Sequence, residues 1–107
     1  MNCTQAVLQA TIGVDDPQMM EMAEAFGGGI GDSKCLCGAV SGGVMALGLS
    51  GKGKKSGALV KLFKEQNRAT CCAALSRPYR WQSREHLANC RRITEETAAM
   101  VEKLLSE

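Results

Sequence analysis

Apolar residues recur at helical spacing along most of this chain. Positions three or four residues apart are apolar in residues 2–12, which predicts a first helix that ends at Gly13. A second helix begins at the Asp-Asp-Pro segment 15–17, because an aspartate N-cap followed by proline is a typical helix start, and it continues to Phe26. We find no segment with the strict alternation of apolar and polar residues that predicts a β-strand.

The centre of the chain has a different pattern. Residues 27–34 are rich in glycine and are predicted to form a loop. They are followed by residues 37–50, in which every position is apolar, glycine or serine, as expected for a buried helix. The lysine-rich segment 52–56 then predicts a solvated linker. A glycine-rich loop therefore leads into a central helix made largely of small residues.

Helical spacing returns in the second half of the chain. A fourth helix is predicted over residues 56–68, and a short helical piece over residues 71–75 is capped by Thr70 and ends before Pro78. Ser83 opens the last helix, which runs to about residue 105. The residues predicted to face inward are Met19, Met20, Met22, Ala23 and Phe26 in the second helix; Leu59, Val60, Leu62 and Phe63 in the fourth; and Leu87, Cys90, Ile93, Thr94, Thr97, Met100, Val101 and Leu104 in the last.

These elements predict an all-α fold in a single domain, residues 1–107. The expected architecture is a compact bundle of five or six helices with a glycine-rich loop before the central helix. Apolar residues make up 45% of the chain, but its aromatic residues are only two phenylalanines, one tyrosine and one tryptophan. Small and aliphatic residues must therefore form the core. The segment 79–82 carries the tyrosine and the tryptophan and is predicted to cover that core.

Charge and cysteine content narrow the classes of function. The chain has 13 lysines and arginines against 11 acidic residues, a balance that argues against a nucleic-acid partner. The longest uncharged stretch, residues 35–51, is too short and too rich in glycine for a membrane span. No basic signal-peptide segment follows Met1, so a reducing, cytoplasmic location is expected. In that compartment six cysteines indicate metal binding or catalysis rather than structural disulfides.

The start of the central helix is the strongest candidate for thiol chemistry. Cys37 lies where the positive end of the helix dipole would lower the pKa of a cysteine and favour the thiolate. Gly38 and Gly42 are four residues apart and share one helix face, where a second backbone or a second cysteine sulfur can approach closely. Cys37 is therefore the expected reactive thiol.

Four cysteines stand at the starts of predicted elements or on a predicted buried stripe, and with them the chain resembles a known family. The matching segments are 2–8 (NCTQAVL), 26–31 (FGGGIG), 37–42 (CGAVSG) and 45–49 (MALGL). Two later cysteines, Cys72 and Cys90, complete the pattern. These residues resemble the redox-active proteins named for a C-GCAxxG-C-C pattern. The resemblance implies a small helical protein in which Cys3, Cys37, Cys72 and Cys90 work together.

The chain also departs from that pattern. Cys35 and Cys71 are additional cysteines. Family members usually carry a helical segment before the first cysteine, and this chain begins without one. A homodimer that completes the core is therefore one expectation for its assembly.

Three functions stay open at this point. In an electron carrier with an unidentified redox partner protein, the four thiolates would bind zinc or an iron–sulfur cluster. Backbone N–H groups of Gly28, Gly29, Gly38 and Gly42 would then donate hydrogen bonds to the cluster sulfurs. In a thiol–disulfide protein, Cys37 would attack and Cys3, Cys72 or Cys90 would resolve. In a structural module the cysteines would be buried small hydrophobes.

Residues other than cysteine add little to these alternatives. His86 lies four residues before Cys90 on the same helix face, but a lone helical histidine is more often packed or exposed than functional, so we do not assign it to the site. No set of polar residues for handling a substrate accompanies the thiols. This favours an electron carrier or a metal-binding module over an enzyme that acts alone.

Overall fold

The computed structural model describes residues 1–107 and contains six α-helices without a β-sheet. The helices are α1 (Cys3–Ile12), α2 (Pro17–Glu24), α3 (Gly38–Leu49), α4 (Ser56–Asn67), α5 (Cys72–Ser76) and α6 (Arg84–Leu105), and a 3₁₀ turn at Gly53–Lys55 leads into α4. The predicted all-α fold and number of helices are confirmed. None of the helices combines the length and the apolar character needed to span a bilayer.

Helix α3 lies at the centre of the bundle and packs against α1, α4 and α6. Of its 12 residues, eight are buried, which agrees with its lack of charged side chains. The long helix α6 lies against α1, α3 and α4, and its amphipathic pattern gives it one buried face. The core consists mainly of aliphatic side chains from these four helices: Val7, Leu8, Ala39, Val40, Ala46, Leu47, Leu59, Phe63, Ile93, Val101 and Leu104.

Helices α1 and α3 approach each other closely because α3 presents glycine at the contact. A Cβ atom placed on Gly42 would lie 2.5 Å from the backbone oxygen of Thr4, and one on Gly38 would lie 2.8 Å from the Thr4 Oγ1 atom. The Thr4 hydroxyl donates a hydrogen bond of 2.9 Å to the carbonyl oxygen of Gly38. The close approach predicted at Gly38 and Gly42 is therefore present, and the element that fits there is the first turn of α1.

A single antiparallel bridge joins the segment before α3 to the start of α5. Leu36 pairs with Cys71, the Cys37 N–H donates to the Thr70 carbonyl at 2.8 Å, and the Cys72 N–H donates to the Cys35 carbonyl at 2.5 Å. Cys37 is the N-cap of α3 and Cys72 is the first residue of α5. The bridge thus brings the starts of two helices, with their cysteines, side by side.

A few sequence expectations about burial and capping were wrong. The N-cap of α5 is Cys71 rather than Thr70, whose carbonyl accepts the hydrogen bond of the bridge. Met22 is 55% exposed because α2 is a short helix that packs only against α1 and needs a single covered face. Leu87 is 57% exposed because it lies at the edge of a cleft beside α6. Val60 and Leu62, which were expected to be buried, are half-buried.

The start of α1 is held by a reciprocal cap. The Asn2 side chain accepts a hydrogen bond from the Gln5 N–H at 3.0 Å, the Gln5 side chain accepts one from the Asn2 N–H at 2.9 Å, and the Asn2 amide also donates to the carbonyl of Glu24 at 3.0 Å. This capping box fixes the first turn of α1, in which Cys3 is the first residue.

We expect Asn2→Ala to lower the free energy of unfolding by about 1 to 2 kcal/mol, the usual contribution of an N-cap, because two backbone groups lose their partner. Urea unfolding followed by circular dichroism measures the change. Gln9→Ala is the matched control, since Gln9 is an exposed residue of the same helix. If the two variants were equally stable, the cap would not hold α1 in place.

Candidate thiol site

The structure brings the four predicted cysteines to one region of the bundle. The contact between α1 and α3 places the Cys3 Cβ atom 3.4 Å from where a Cβ on Gly38 would be, next to Cys37. The antiparallel bridge places Cys72 beside Cys37, and the packing of α6 on α1 adds Cys90. A negative charge on Cys3 raises the pKa of each of the other three thiols, as expected for neighbouring groups.

A cleft with a volume of about 870 Å³ opens over these cysteines. Its walls come from α1, the glycine-rich loop, the segment around residue 81 and the exposed edge of α6. Three of the four cysteines line it, namely Cys3, Cys72 and Cys90. Cys37 does not and is 7% exposed, and Cys72, although it lines the cleft, is only 8% exposed. Molecules from solvent therefore have the most open access to Cys3 and Cys90, which are half-buried.

Cys3 carries the most acidic thiol of the site. The interaction with the Cys90 side chain lowers the pKa of Cys3 to about 6 even though burial opposes the shift. The same interaction, together with burial, raises the pKa of Cys90. Cys3 and Cys90 therefore titrate as a pair, in which Cys3 is the thiol that ionises more readily.

The lowered pKa expected for Cys37 is not found. Backbone N–H groups of Ala39 and Val40 at the start of α3 do favour the thiolate, but burial outweighs them and raises the pKa of Cys37 to about 11. Removing a charged sulfur from water costs more here than the helix terminus supplies. Cys37 is consequently a neutral, buried thiol near pH 7.

Cys72 has an intermediate environment. Burial raises its pKa, and a hydrogen bond with the Ser76 hydroxyl works in the opposite direction. The Cys72 Sγ and Ser76 Oγ atoms are 3.9 Å apart, one turn of α5 from each other. Ser76 itself is buried, so its hydroxyl needs partners within the protein.

His86 belongs to this site, although its sequence position alone did not lead us to assign it there. Its imidazole is only 3% exposed, and its Nε2 atom lies 3.0 Å from Ser76 Oγ and 3.5 Å from Cys90 Sγ. Its Nδ1 atom accepts a hydrogen bond of 2.8 Å from the Gln82 N–H. Trp81 stacks on the imidazole with 4.5 Å between ring centres. In the sequence, only the spacing of four residues between His86 and Cys90 indicated that His86 lies at the site. Nothing in the sequence indicated its contact with Ser76.

Comparison with known proteins finds one family whose sequence pattern matches this chain. A protein-family model described as "Putative redox-active protein (C_GCAxxG_C_C)" matches residues 1–104. The chain belongs to this family. Comparison with curated proteins and with solved structures gives no match. Membership of the C_GCAxxG_C_C family supports the general description of this chain as a redox-active protein.

The two cysteines that are additional to the C_GCAxxG_C_C pattern lie outside the cleft. Cys35 and Cys71 are exposed, and all six cysteines are free thiols. The Cys71 thiol donates to the Lys34 carbonyl at 3.0 Å, and the Cys35 Sγ atom lies 3.8 Å from the Ser33 carbonyl oxygen. Their contacts are local to the bridge, which separates them from the Cys3–Cys90 pair.

The predicted cofactor contacts of the glycine-rich loop have another explanation. Gly28 and Gly29 line the cleft, but both adopt positive φ angles of 62° and 76°. A Cβ atom on Gly28 would lie 2.0 Å from a carboxylate oxygen of Asp32, and one on Gly29 would lie 2.4 Å from the Cys35 backbone nitrogen. Glycine at these positions is required by the fold of the loop itself.

The four cysteines of the C_GCAxxG_C_C pattern, which were predicted to bind a metal, are not arranged as a metal-coordination site. Thiols are suitable ligands for zinc or an iron–sulfur cluster, which both need several sulfurs directed at one point. No group of three or more His, Cys, Asp or Glu side chains has such a disposition in this structure. The contacts of the cleft thiols are instead with other side chains: Cys90 Sγ lies 3.5 Å from His86 Nε2, and Cys72 Sγ lies 3.9 Å from Ser76 Oγ.

Proposed function

We propose that this chain is a thiol–disulfide redox protein in which Cys3 and Cys90 form the reactive pair. The proposal rests on the position of the two cysteines at the wall of one open cleft and on the pKa of Cys3, which the interaction with Cys90 lowers to about 6. The thiolate is the form that attacks a disulfide, and an attacking thiol is most effective when its pKa lies near the ambient pH. Cys3 meets both conditions.

The proposed reaction exchanges two electrons between the pair and an external disulfide. The Cys3 thiolate attacks one sulfur of that disulfide, so that a mixed disulfide forms, the external sulfur–sulfur bond breaks and one external sulfur leaves as a thiolate. This thiolate takes the proton of Cys90. The Cys90 sulfur then attacks Cys3, forms the internal disulfide and expels the second external sulfur as a thiolate. Two cysteines are oxidised and one external disulfide is reduced.

The position of Cys90 suits the resolving step. Its side chain lines the same cleft as Cys3, where α6 packs on α1, so a mixed disulfide on Cys3 would form close to it. Cys37, the thiol first expected to attack, has a pKa of about 11 and lies beneath the cleft, which disfavours it in this role. The proposal therefore assigns attack to Cys3 and resolution to Cys90.

Peptide mapping tests the assignment, because trypsin separates the cysteines. Cleavage after lysine and arginine places Cys3 in peptide 1–34, the pair Cys35 and Cys37 in peptide 35–52, and Cys90 in peptide 85–91. The reduced protein is treated with oxidised glutathione at pH 7, quenched by alkylation and digested. We expect a disulfide that joins peptides 1–34 and 85–91.

A Cys35→Ser/Cys71→Ser double variant is the matched control, since it removes the two exposed thiols and should give the same linked peptides. A dominant link between peptide 35–52 and the peptide that carries Cys72 would contradict the assignment. Stoichiometric zinc or iron in the protein as purified, with thiols that do not react with oxidised glutathione, would contradict thiol–disulfide exchange and indicate metal binding instead.

A further inference from the structure

The hydrogen bonds of His86 fix which of its ring nitrogens carries the proton. The Gln82 N–H is a backbone donor and has no capacity to accept, so the Nδ1 atom that it contacts at 2.8 Å must be the unprotonated nitrogen. In a neutral imidazole the hydrogen is then on Nε2. This nitrogen is therefore a donor toward its two neighbours, Ser76 Oγ at 3.0 Å and Cys90 Sγ at 3.5 Å.

This tautomer determines the direction of the hydrogens on both neighbours. Because Nε2 cannot accept, neither the Ser76 hydroxyl hydrogen nor the Cys90 thiol hydrogen can point at the imidazole. The remaining acceptor near the Ser76 hydroxyl is the Cys72 sulfur, 3.9 Å away. Cys3 lines the same cleft as Cys90, where α1 packs on α6, and its sulfur is the neighbouring acceptor that most affects the pKa of Cys90. One buried ring thus orients two donors at two different sulfur atoms.

We propose that His86 is a positioning residue whose tautomer directs the Ser76 hydroxyl hydrogen to Cys72 and the Cys90 thiol hydrogen to Cys3. The inference rests on the proposed function in one respect, namely that Cys3 and Cys90 are the reactive pair. It goes further by assigning a role to a histidine, a serine and a backbone N–H that do not react themselves.

The surroundings of the ring maintain this arrangement. Trp81 covers one face of the imidazole, with ring centres 4.5 Å apart, and the Lys34 ammonium lies 4.5 Å from the centre of the Trp81 ring. The Ser83 hydroxyl accepts a hydrogen bond from the His86 N–H at 3.2 Å and caps α6. The ring is therefore held by the adjacent indole and by hydrogen bonds at both nitrogens.

The tautomer is tested directly on the unaltered protein. His86 is the only histidine, so a nitrogen-15 correlation spectrum of its ring contains one unambiguous set of signals. We expect Nε2 to be protonated and Nδ1 to be unprotonated in the reduced protein at pH 7.5. A protonated Nδ1 would overturn the inference without any variant, and this outcome is independent of whether the cysteines exchange with a disulfide.

The effect on Cys3 is tested by two replacements of His86. His86→Gln retains an N–H donor near the Nε2 position, whereas His86→Leu has none. We expect His86→Leu to slow alkylation of Cys3 by iodoacetamide at pH 6.5 about fivefold, the factor for one lost hydrogen bond, and His86→Gln to stay within about twofold of the parent rate. Alkylation is followed through the peptide 1–34.

Ser76→Ala is the matched control, since it removes the neighbouring hydroxyl but leaves the contact between His86 and Cys90. We expect it to leave the alkylation rate of Cys3 within about twofold. Equal rates in the leucine and glutamine variants would show that the ring acts only through its volume and would overturn the inference. If His86→Leu fails to fold, the glutamine variant and the ring spectrum still decide the question.

Discussion

Replacing Cys3 with serine is expected to lower the rate of reaction with a small disulfide at pH 7 by about tenfold or more. With a pKa of about 6 against an ordinary value of 9.0, Cys3 is mostly thiolate at this pH, while an ordinary cysteine is about 1% ionised. The greater basicity of an ordinary thiolate offsets only part of that advantage. In this variant burial still raises the pKa of the other cleft thiols, Cys72 and Cys90, and disfavours either as a replacement. Stopped-flow measurement of the reaction with a chromogenic aromatic disulfide gives the rate.

The pH dependence of the reaction rate tests the same prediction, because the direction of the expected change is known. A lowered pKa of about 6 means that the parent rate falls as the pH drops below 6 and reaches a plateau above about 7. In Cys90→Ala the donor that lowers the pKa of Cys3 is absent, so the midpoint of the profile should move to higher pH. Cys35→Ser is the control for general effects of removing a thiol and should retain the parent profile. A rate in the Cys35→Ser/Cys71→Ser variant that still rises steeply above pH 8 would contradict the assignment to Cys3.

Gly42→Ala is expected to destabilise the protein by about 2 kcal/mol despite the better helix propensity of alanine. The added methyl group would lie 2.5 Å from the Thr4 backbone oxygen and 3.1 Å from the Val7 Cβ atom, so α1 would have to move away from α3. Because Cys3 is the first residue of α1, the same movement would separate it from Cys90. Urea unfolding and the alkylation rate of Cys3 should both change.

Gly48→Ala provides the matched comparison within the same helix. A Cβ atom on Gly48 meets nothing within 4 Å, so this replacement should be neutral or add up to about 1 kcal/mol of stability. If Gly42→Ala were as stable as Gly48→Ala, with unchanged reactivity of Cys3, the close contact between α1 and α3 would not be needed to assemble the thiol pair.

Local signals explain why the elements could be predicted. The Asp16 side chain accepts hydrogen bonds from two N–H groups at the start of α2, and the Ser83 side chain accepts one from the His86 N–H at the start of α6. Caps of this kind depend on residues within one turn, so the sequence contains all the required information. Burial of individual side chains depends on neighbouring elements, and for this reason Met22 and Leu87 were placed on the wrong side.

The reactive cysteine could not be predicted in the same way. The helix terminus that favours a Cys37 thiolate is visible in the sequence, but the burial that outweighs it is a property of the packed bundle. The hydrogen bond that selects Cys3 comes from Cys90, near the other end of the chain. The set of cysteines was therefore accessible from sequence, whereas their pairing and the roles of Ser76 and His86 depended on tertiary structure.

The indole stacked on His86 gives the protein a built-in optical reporter. Trp81 is the only tryptophan, so fluorescence excited beyond the range of tyrosine has a single source, located at the wall of the cleft that holds Cys3, Cys72 and Cys90. Its surroundings include the imidazole 4.5 Å away, and we expect oxidation of the cleft thiols to change them and with them its emission. The oxidation state of the thiol pair can therefore be followed in unlabelled protein, in real time and at concentrations too low for absorbance.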